Sequence, residues 1–191
     1  MANTSMSTQS RRSRSTGLTS SNYRKEDAYD LMVVGLRNAH GLEQQAIEML
    51  ERNVERLEHY PELRKRLSHH LTESRSQQKR IEQALNKLDE STSTVKDAVL
   101  GMVQNMQSMM HSMAGDEVLK NSFAGYAFEH FEIASYTALG VMARAAGEDE
   151  VAQLADEICA EERDMAEWLE EHLPDVVEEH IRLMATGEQK N

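Results

Sequence analysis

Apolar side chains recur along this chain in steps of three and four, the repeat of one helix face. Leu36, Ile47, Leu50, Val54 and Leu57 share one such stripe and predict a first helix over about residues 26–58. His40 and Glu43 lie on the same stripe, although a helical glutamate usually faces water. Tyr60 and Pro61 end this helix, and Pro61 suits the first position of a second helix over about 61–88. The second stripe is Leu63, Leu67, His70, Glu73 or Ser74, Gln77, Ile81, Leu85 and Leu88: apolar at both ends, polar in the middle. A polar loop at 89–94 leads to a short helix over about 95–113, whose face carries five methionines. Helix three is predicted over about 117–146, apolar on more than one face, with Gly147 as its stop. Helix four covers about 149–172, and Pro174 and Asp175 start a last short helix to about 184.

Two long helical hairpins joined by a crossover of about 25–30 residues make an all-α, ferritin-like four-helix bundle with a helical crossover and a short C-terminal helix. Composition agrees: two prolines, nine glycines and almost no β-branched runs leave no basis for a sheet. The 191 residues divide into a flexible polar tail at 1–22, one helical domain at 23–184 and a C-terminal tail at 185–191.

Charge changes the picture in one respect. The formal net charge of −12 is uneven, with 14 acids against one base in residues 148–180 and five bases without an acid in residues 1–25. Such a chain lacks a broad basic face for nucleic acid, and no run of about 18 apolar residues is present to span a membrane. The acidic half either attracts cations or is a solvated helix face. The lone Cys159 reads as a packed thiol; it can close no intrachain disulfide, which suits a cytoplasmic location. The methionines near His111 are either a soft-metal site or gap-filling side chains, and their spacing is that of core or subunit-interface packing.

The candidate chemistry lies in Glu129-His130-Phe131-Glu132, where two carboxylates share a face at i, i+3 inside an apolar segment. Ionised carboxylates in such a place need partners, and a metal ion can serve several at once. Glu43 and Glu73 are 30 residues apart, as are Glu132 and Glu162. With turns near Pro61 and Gly147, each hairpin sets its pair near mid-bundle. Oxygen-rich sites of this kind suit iron, manganese or another hard divalent ion. The opposing reading is a bundle with peripheral ion pairs. Glu161 and Glu162 both fit the fourth stripe. His40 and His70 are each three residues before a glutamate, and each is a ligand, a partner of a ligand or a satisfied core imidazole. His130 points away from both neighbouring glutamates.

The stretch from Glu129 to Tyr136, with His70-Leu71-Thr72-Glu73 and Ala160-Glu161-Glu162-Arg163, resembles the YciE/YciF-like family of bacterial stress proteins, which is similar in fold to rubrerythrin. The resemblance covers about residues 26–175. It implies a dinuclear metal site, a homodimer and a place in stress response. Carried over by position, Glu43, Glu73, Glu129, Glu132 and Glu162 match the ferritin-like carboxylates, with His70, Gln77, His130 and Glu161 as further candidates. The ferritin pattern sets a histidine one turn after a glutamate on two helices. Here those places hold Ser76 or Gln77 and Met165 or Ala166. The function expected is therefore oxidation of Fe(II) by O₂ or peroxide at a carboxylate-rich iron or manganese site. The alternative is a non-enzymatic dimeric scaffold whose site is degenerate.

Overall fold

The structure is a computed structural model that describes residues 24–92 and 117–188. Four helices make it up: α1 (Lys25–Val54), α2 (Pro61–Lys87), α3 (Glu117–Ala146) and α4 (Asp149–Thr186). The described residues contain no strand. The tail at 1–22 and the crossover helix at 95–113 fall outside the described residues.

Each helix packs on two neighbours, in the cyclic order α1, α2, α4, α3. Cross-helix contacts give the directions. Gln44 meets Gln78 and Glu51 meets Arg75 across α1 and α2, so that pair is antiparallel. Arg144 with Asp156 and Tyr126 with Glu170 show the same for α3 and α4. Helices α2 and α3 stand diagonally and run the same way. The end of α2, where Lys87 meets Glu150, and the start of α3, where Glu117 meets Arg56, therefore lie at opposite ends of the bundle, as in the ferritin-like arrangement.

The α3–α4 turn is short because Gly147 adopts φ +76°, a left-handed conformation that glycine enters without penalty. The Glu148 N–H then bonds back to Ala143 O at 2.9 Å and closes the helix end.

Apolar packing is concentrated at the two ends. One cluster joins Met32, Leu36, Ile81, Leu85, Leu139 and Ile158 near the Gly147 turn. The other joins Leu50, Leu63, Leu67, Met165, Leu169 and Leu183 near the Pro61 turn. Between them lie a small apolar cluster of Leu42, Ala46 and Phe128 and a group of buried polar residues: Glu43, His70, Ser74, Gln77, Glu129, Glu132 and Glu162.

Two boundaries differ from the sequence expectation. Helix α1 stops at Val54, four residues early, and residues 55–60 turn so that Leu57 and Tyr60 are buried. The separate last helix does not exist as such: α4 runs without a break through Pro174 to Thr186, 38 residues or about 57 Å. A proline inside a helix forfeits one backbone hydrogen bond and crowds the preceding turn. Beyond it, Val176, His180 and Leu183 are buried, and Val176 and Leu183 join the cluster that holds Leu57 and Tyr60. That burial holds the chain helical past the proline. His180, which reads as a surface residue in the sequence, forms a 3.2 Å hydrogen bond between its Nδ1 and the Tyr60 hydroxyl.

Candidate metal centre

The α2 stripe runs 63, 67, 70, 74, 77, 81, 85, and this phase decides which polar groups enter the core. His70, Ser74 and Gln77 point inward and are essentially unexposed. Glu73 falls one position off the stripe, and its side chain remains 26 % exposed. On α4 the step from Ile158 to Met165 passes through Glu162, so Glu162 is inward while Glu161 is only partly buried. On α3, Glu129 and Glu132 are both inward and Glu43 meets them from α1.

One ligand atom each from His70, Glu129, Glu132 and Glu162 lies within 4.8 Å of the other three. With metal–ligand bonds of about 2.1 Å, donors on opposite sides of one ion lie about 4.2 Å apart, so the four are close to coordinating spacing. His70 Nε2 is 3.2 Å from Glu129 Oε2 and 3.4 Å from Glu162 Oε2. Glu43 stands beside this group, and its Oε1 accepts a hydrogen bond from the buried Tyr136 hydroxyl.

The remaining candidates are placed around that core. Glu73 lies outside the four-residue cluster. Its Oε2 meets His70 Nδ1 at 3.0 Å and also accepts from Arg66 at 3.0 Å. It therefore orients the imidazole and leaves Nε2 directed at the carboxylates. Gln77 donates through Nε2 to Glu162 Oε1 at 2.5 Å and to Glu161 Oε2 at 2.9 Å. Glu161 also takes an ion pair from Arg80. His130 is exposed, its ring edge-on to Tyr126 at a centroid distance of 4.5 Å, and it does not reach the cluster. The helix-four positions that lack an imidazole, Met165 and Ala166, are buried apolar groups. His70 thus supplies one nitrogen donor, from three residues before Glu73 and not one turn after it. The hydroxyl of Tyr136 is the part of the site that periodicity does not single out. Its only sequence signal is a position four residues after Glu132, on the same face of α3.

The protonation states follow from burial and crowding. Burial, against the opposing effects of the Tyr136 hydrogen bond and His70, pushes Glu43 up to about 8. Burial and then repulsion from Glu129 push Glu162 up to about 10. Glu132 is raised well above the usual carboxylate range by burial and by the charges of Glu43, Glu162 and Glu129. Burial disfavours a charged His70, but Glu129, Glu73 and Glu162 outweigh it and raise the imidazole to about 10. Glu73 is held down at about 2, chiefly by its hydrogen bond with His70. Tyr136 is raised well above the usual phenol range by burial and the Glu43 charge, so it stays a neutral donor.

Six atoms of the histidine and carboxylates in this site are buried and make no well-formed hydrogen bond: Glu43 Oε2, His70 Nε2, Glu129 Oε2, both Glu132 oxygens and Glu162 Oε2, with His70 Nε2 within 3.4 Å of the Glu129 and Glu162 oxygens; Gln77 Oε1 beside them is likewise unbonded. Buried polar atoms are normally paired, because leaving one unpaired costs about 1–3 kcal/mol and a charged one more. Six together, converging from four helices, fit a divalent cation by number and by donor chemistry.

Comparison with known proteins places this bundle. A family model described as "Domain of unknown function (DUF892)" matches residues 27–182. A crystal structure of a protein from Xanthomonas campestris pv. campestris is 36 % identical, covers 83 % of this chain and 99 % of its own, and superposes with a TM-score of 0.71. YcfI from Rhodopseudomonas palustris is 27 % identical over 75 % of this chain and 92 % of its own, with a TM-score of 0.66. The E. coli stress protein YciF is 23 % identical over 79 % of this chain and 97 % of its own, with a TM-score of 0.68, a likeness of fold. With the domain model spanning all four helices and the Xanthomonas relative matched over nearly its whole length, this chain belongs to that YciF-like family.

Proposed function

We propose that this protein binds two divalent metal ions, iron or manganese, between its four helices, and with iron acts as an Fe(II) oxidase in bacterial stress response. The six converging buried donor atoms, none in a well-formed hydrogen bond, carry the reading. Charge supports the number two. Ionised Glu43, Glu129, Glu132 and Glu162 with a neutral His70 sum to −4, which two divalent ions cancel. One ion would leave two protons to be retained. His70 Nε2 and the carboxylates would hold the ions, with Nδ1–H donating to Glu73. Tyr136 fixes Glu43, and Gln77 fixes Glu162. Bound ferrous ions would supply two electrons, which with two protons reduce O₂ to hydrogen peroxide. The stress assignment draws on the name of the E. coli neighbour.

Anaerobic Fe(II) titration with metal analysis tests this reading. About two tightly held ions per chain are expected, lost in the Glu129→Ala/Glu132→Ala variant. Fewer than about 0.2 per chain, unchanged in that variant, would sink the metal site.

A second reading has its own support. The raised carboxylates and the raised imidazole let the cluster close without metal, with His70 charged against Glu129 and protons held on Glu43, Glu132 and Glu162. The protein would then be a homodimeric scaffold. In that case polar substitution at Met106 and Met110 would break the dimer in sedimentation, while removal of Glu132 would leave stress survival unchanged.

A further inference from the structure

A cavity of about 60 Å³ lies at the Pro61 end of the bundle, and one of its lining residues is Glu129 of the proposed metal centre. Its walls include Leu50, Leu67, Leu169 and Leu183, all buried. A water needs about 10–15 Å³ of such space, so the volume admits several small molecules. Three buried polar groups of the wall, Ser122, Tyr60 and His180, have partners. Ser122 Oγ donates to Val118 O at 2.9 Å, and Tyr60 and His180 bond to each other at 3.2 Å. Glu129, the remaining buried polar residue of the lining, joins the cavity to the centre, where its Oε2 faces His70 Nε2 at 3.2 Å. At the outer edge the lining becomes polar, with Asn53, Arg56 and Asn121.

Gly125 supplies a second, independent observation. It sits inside α3 and lines this cavity. Glycine inside a helix is disfavoured relative to alanine. No left-handed backbone calls for it here, since the positive-φ glycines are Gly147 and Gly187. Crowding does not call for it either: an added Cβ would meet nothing nearer than Leu169 Cδ1 at 3.9 Å. What the missing side chain preserves is open space beside Glu129.

We infer that this cavity is the passage by which dioxygen reaches the Glu129 side of the metal centre. The inference rests on the metal-binding reading and narrows the oxidant. Leucine walls accept an apolar diatomic gas without loss, whereas hydrogen peroxide would give up its hydrogen bonds to water on entry. The site therefore takes O₂ by this route in preference to peroxide.

Xenon, which occupies dry apolar cavities, tests the space without any metal. Crystals of the full chain under xenon pressure are expected to show the gas between Leu50, Leu67 and Leu169. Gly125→Leu is expected to abolish that peak, keep the anaerobic Fe(II) stoichiometry, and slow O₂-driven oxidation about tenfold while peroxide-driven oxidation is unchanged. Gly125→Ala, a milder change in a helix, should slow the O₂ reaction by a smaller factor and guards against a leucine variant that fails to fold. A missing xenon peak, or unslowed O₂ oxidation in both variants with metal still bound, overturns the passage alone. A wild type that binds no Fe(II) overturns the metal reading and the passage with it, and is recognised before oxygen is admitted.

Discussion

His70 and Glu73 divide their labour by one position of helical phase. The imidazole faces the bundle interior, and the carboxylate three residues later reaches back to its Nδ1 from the half-exposed flank. Removing such an outer partner typically lowers metal affinity 10–100-fold. Glu73→Gln should therefore weaken Fe(II) or Mn(II) binding by about that factor in anaerobic calorimetry, while stoichiometry is retained. The same residues set a pH dependence for the chelated protein. Glu43 and Glu162 hold protons in the folded state up to about 8 and 10, whereas unfolded glutamates release them near 4.5. The folded state thus binds more protons than the unfolded one between those values, and stability falls as pH rises. His70, raised to about 10, acts in the same direction: its contribution is full below 6.5 and is lost through about 10. Glu73, lowered to about 2, acts oppositely and loses its contribution only as pH drops from 4.5 toward 2. Thermal melts in chelator should accordingly show a higher Tm at pH 5 than at pH 9. Metal should narrow that gap, because it replaces the protons.

Helix α4 shows what a local signal can hide. Pro174 reads as a helix start in the sequence, and by local rules it is one. The inward positions 158, 162, 165, 169, 176, 180 and 183 keep one phase across the proline. That continuity was present in the sequence and outweighs the proline, because the buried face beyond it covers the α1–α2 turn. The same phase arithmetic separates Glu162 from Glu161 and Ser74 from Glu73. The four long helices, the hairpins and the Glu129–Glu132 face were legible for a simple reason: long periodic runs fix them. Tyr136 as the partner of Glu43 was not legible, and His70 was legible only as one candidate nitrogen donor beside His40 and His130. Those assignments depend on the relative height of different helices, which periodicity along one chain does not report. Pro174→Ala restores a backbone donor and relieves crowding. It should stabilise the protein by about 1–3 kcal/mol, read as a higher Tm, with metal binding unchanged.

The described residues form two large apolar clusters at the ends of the bundle, with a layer of acids and a small apolar cluster of Leu42, Ala46 and Phe128 between them. In the absence of cation this middle layer opposes folding, since burying carboxyl groups without good partners, charged or protonated, costs more than their mutual contacts return. Glu132 is the extreme case, with neither oxygen hydrogen-bonded. Glu132→Leu should raise the stability of the chelated protein by about 1–4 kcal/mol in urea titration and at the same time abolish tight metal binding. A loss of stability in that variant would show that Glu132 already has a good partner in the metal-free fold.

The donor set also has a bearing on how the protein is made. Glu43 comes from α1, His70 from α2, Glu129 and Glu132 from α3, and Glu162 from α4. The first hairpin alone presents one carboxylate and one imidazole of the set. A nascent chain on the ribosome therefore holds no complete coordination sphere until its last helix has emerged and docked. On the metal-binding reading proposed above, redox-active iron would be captured only by finished protein, and half-made chains would be spared the radical chemistry that loosely held iron provokes.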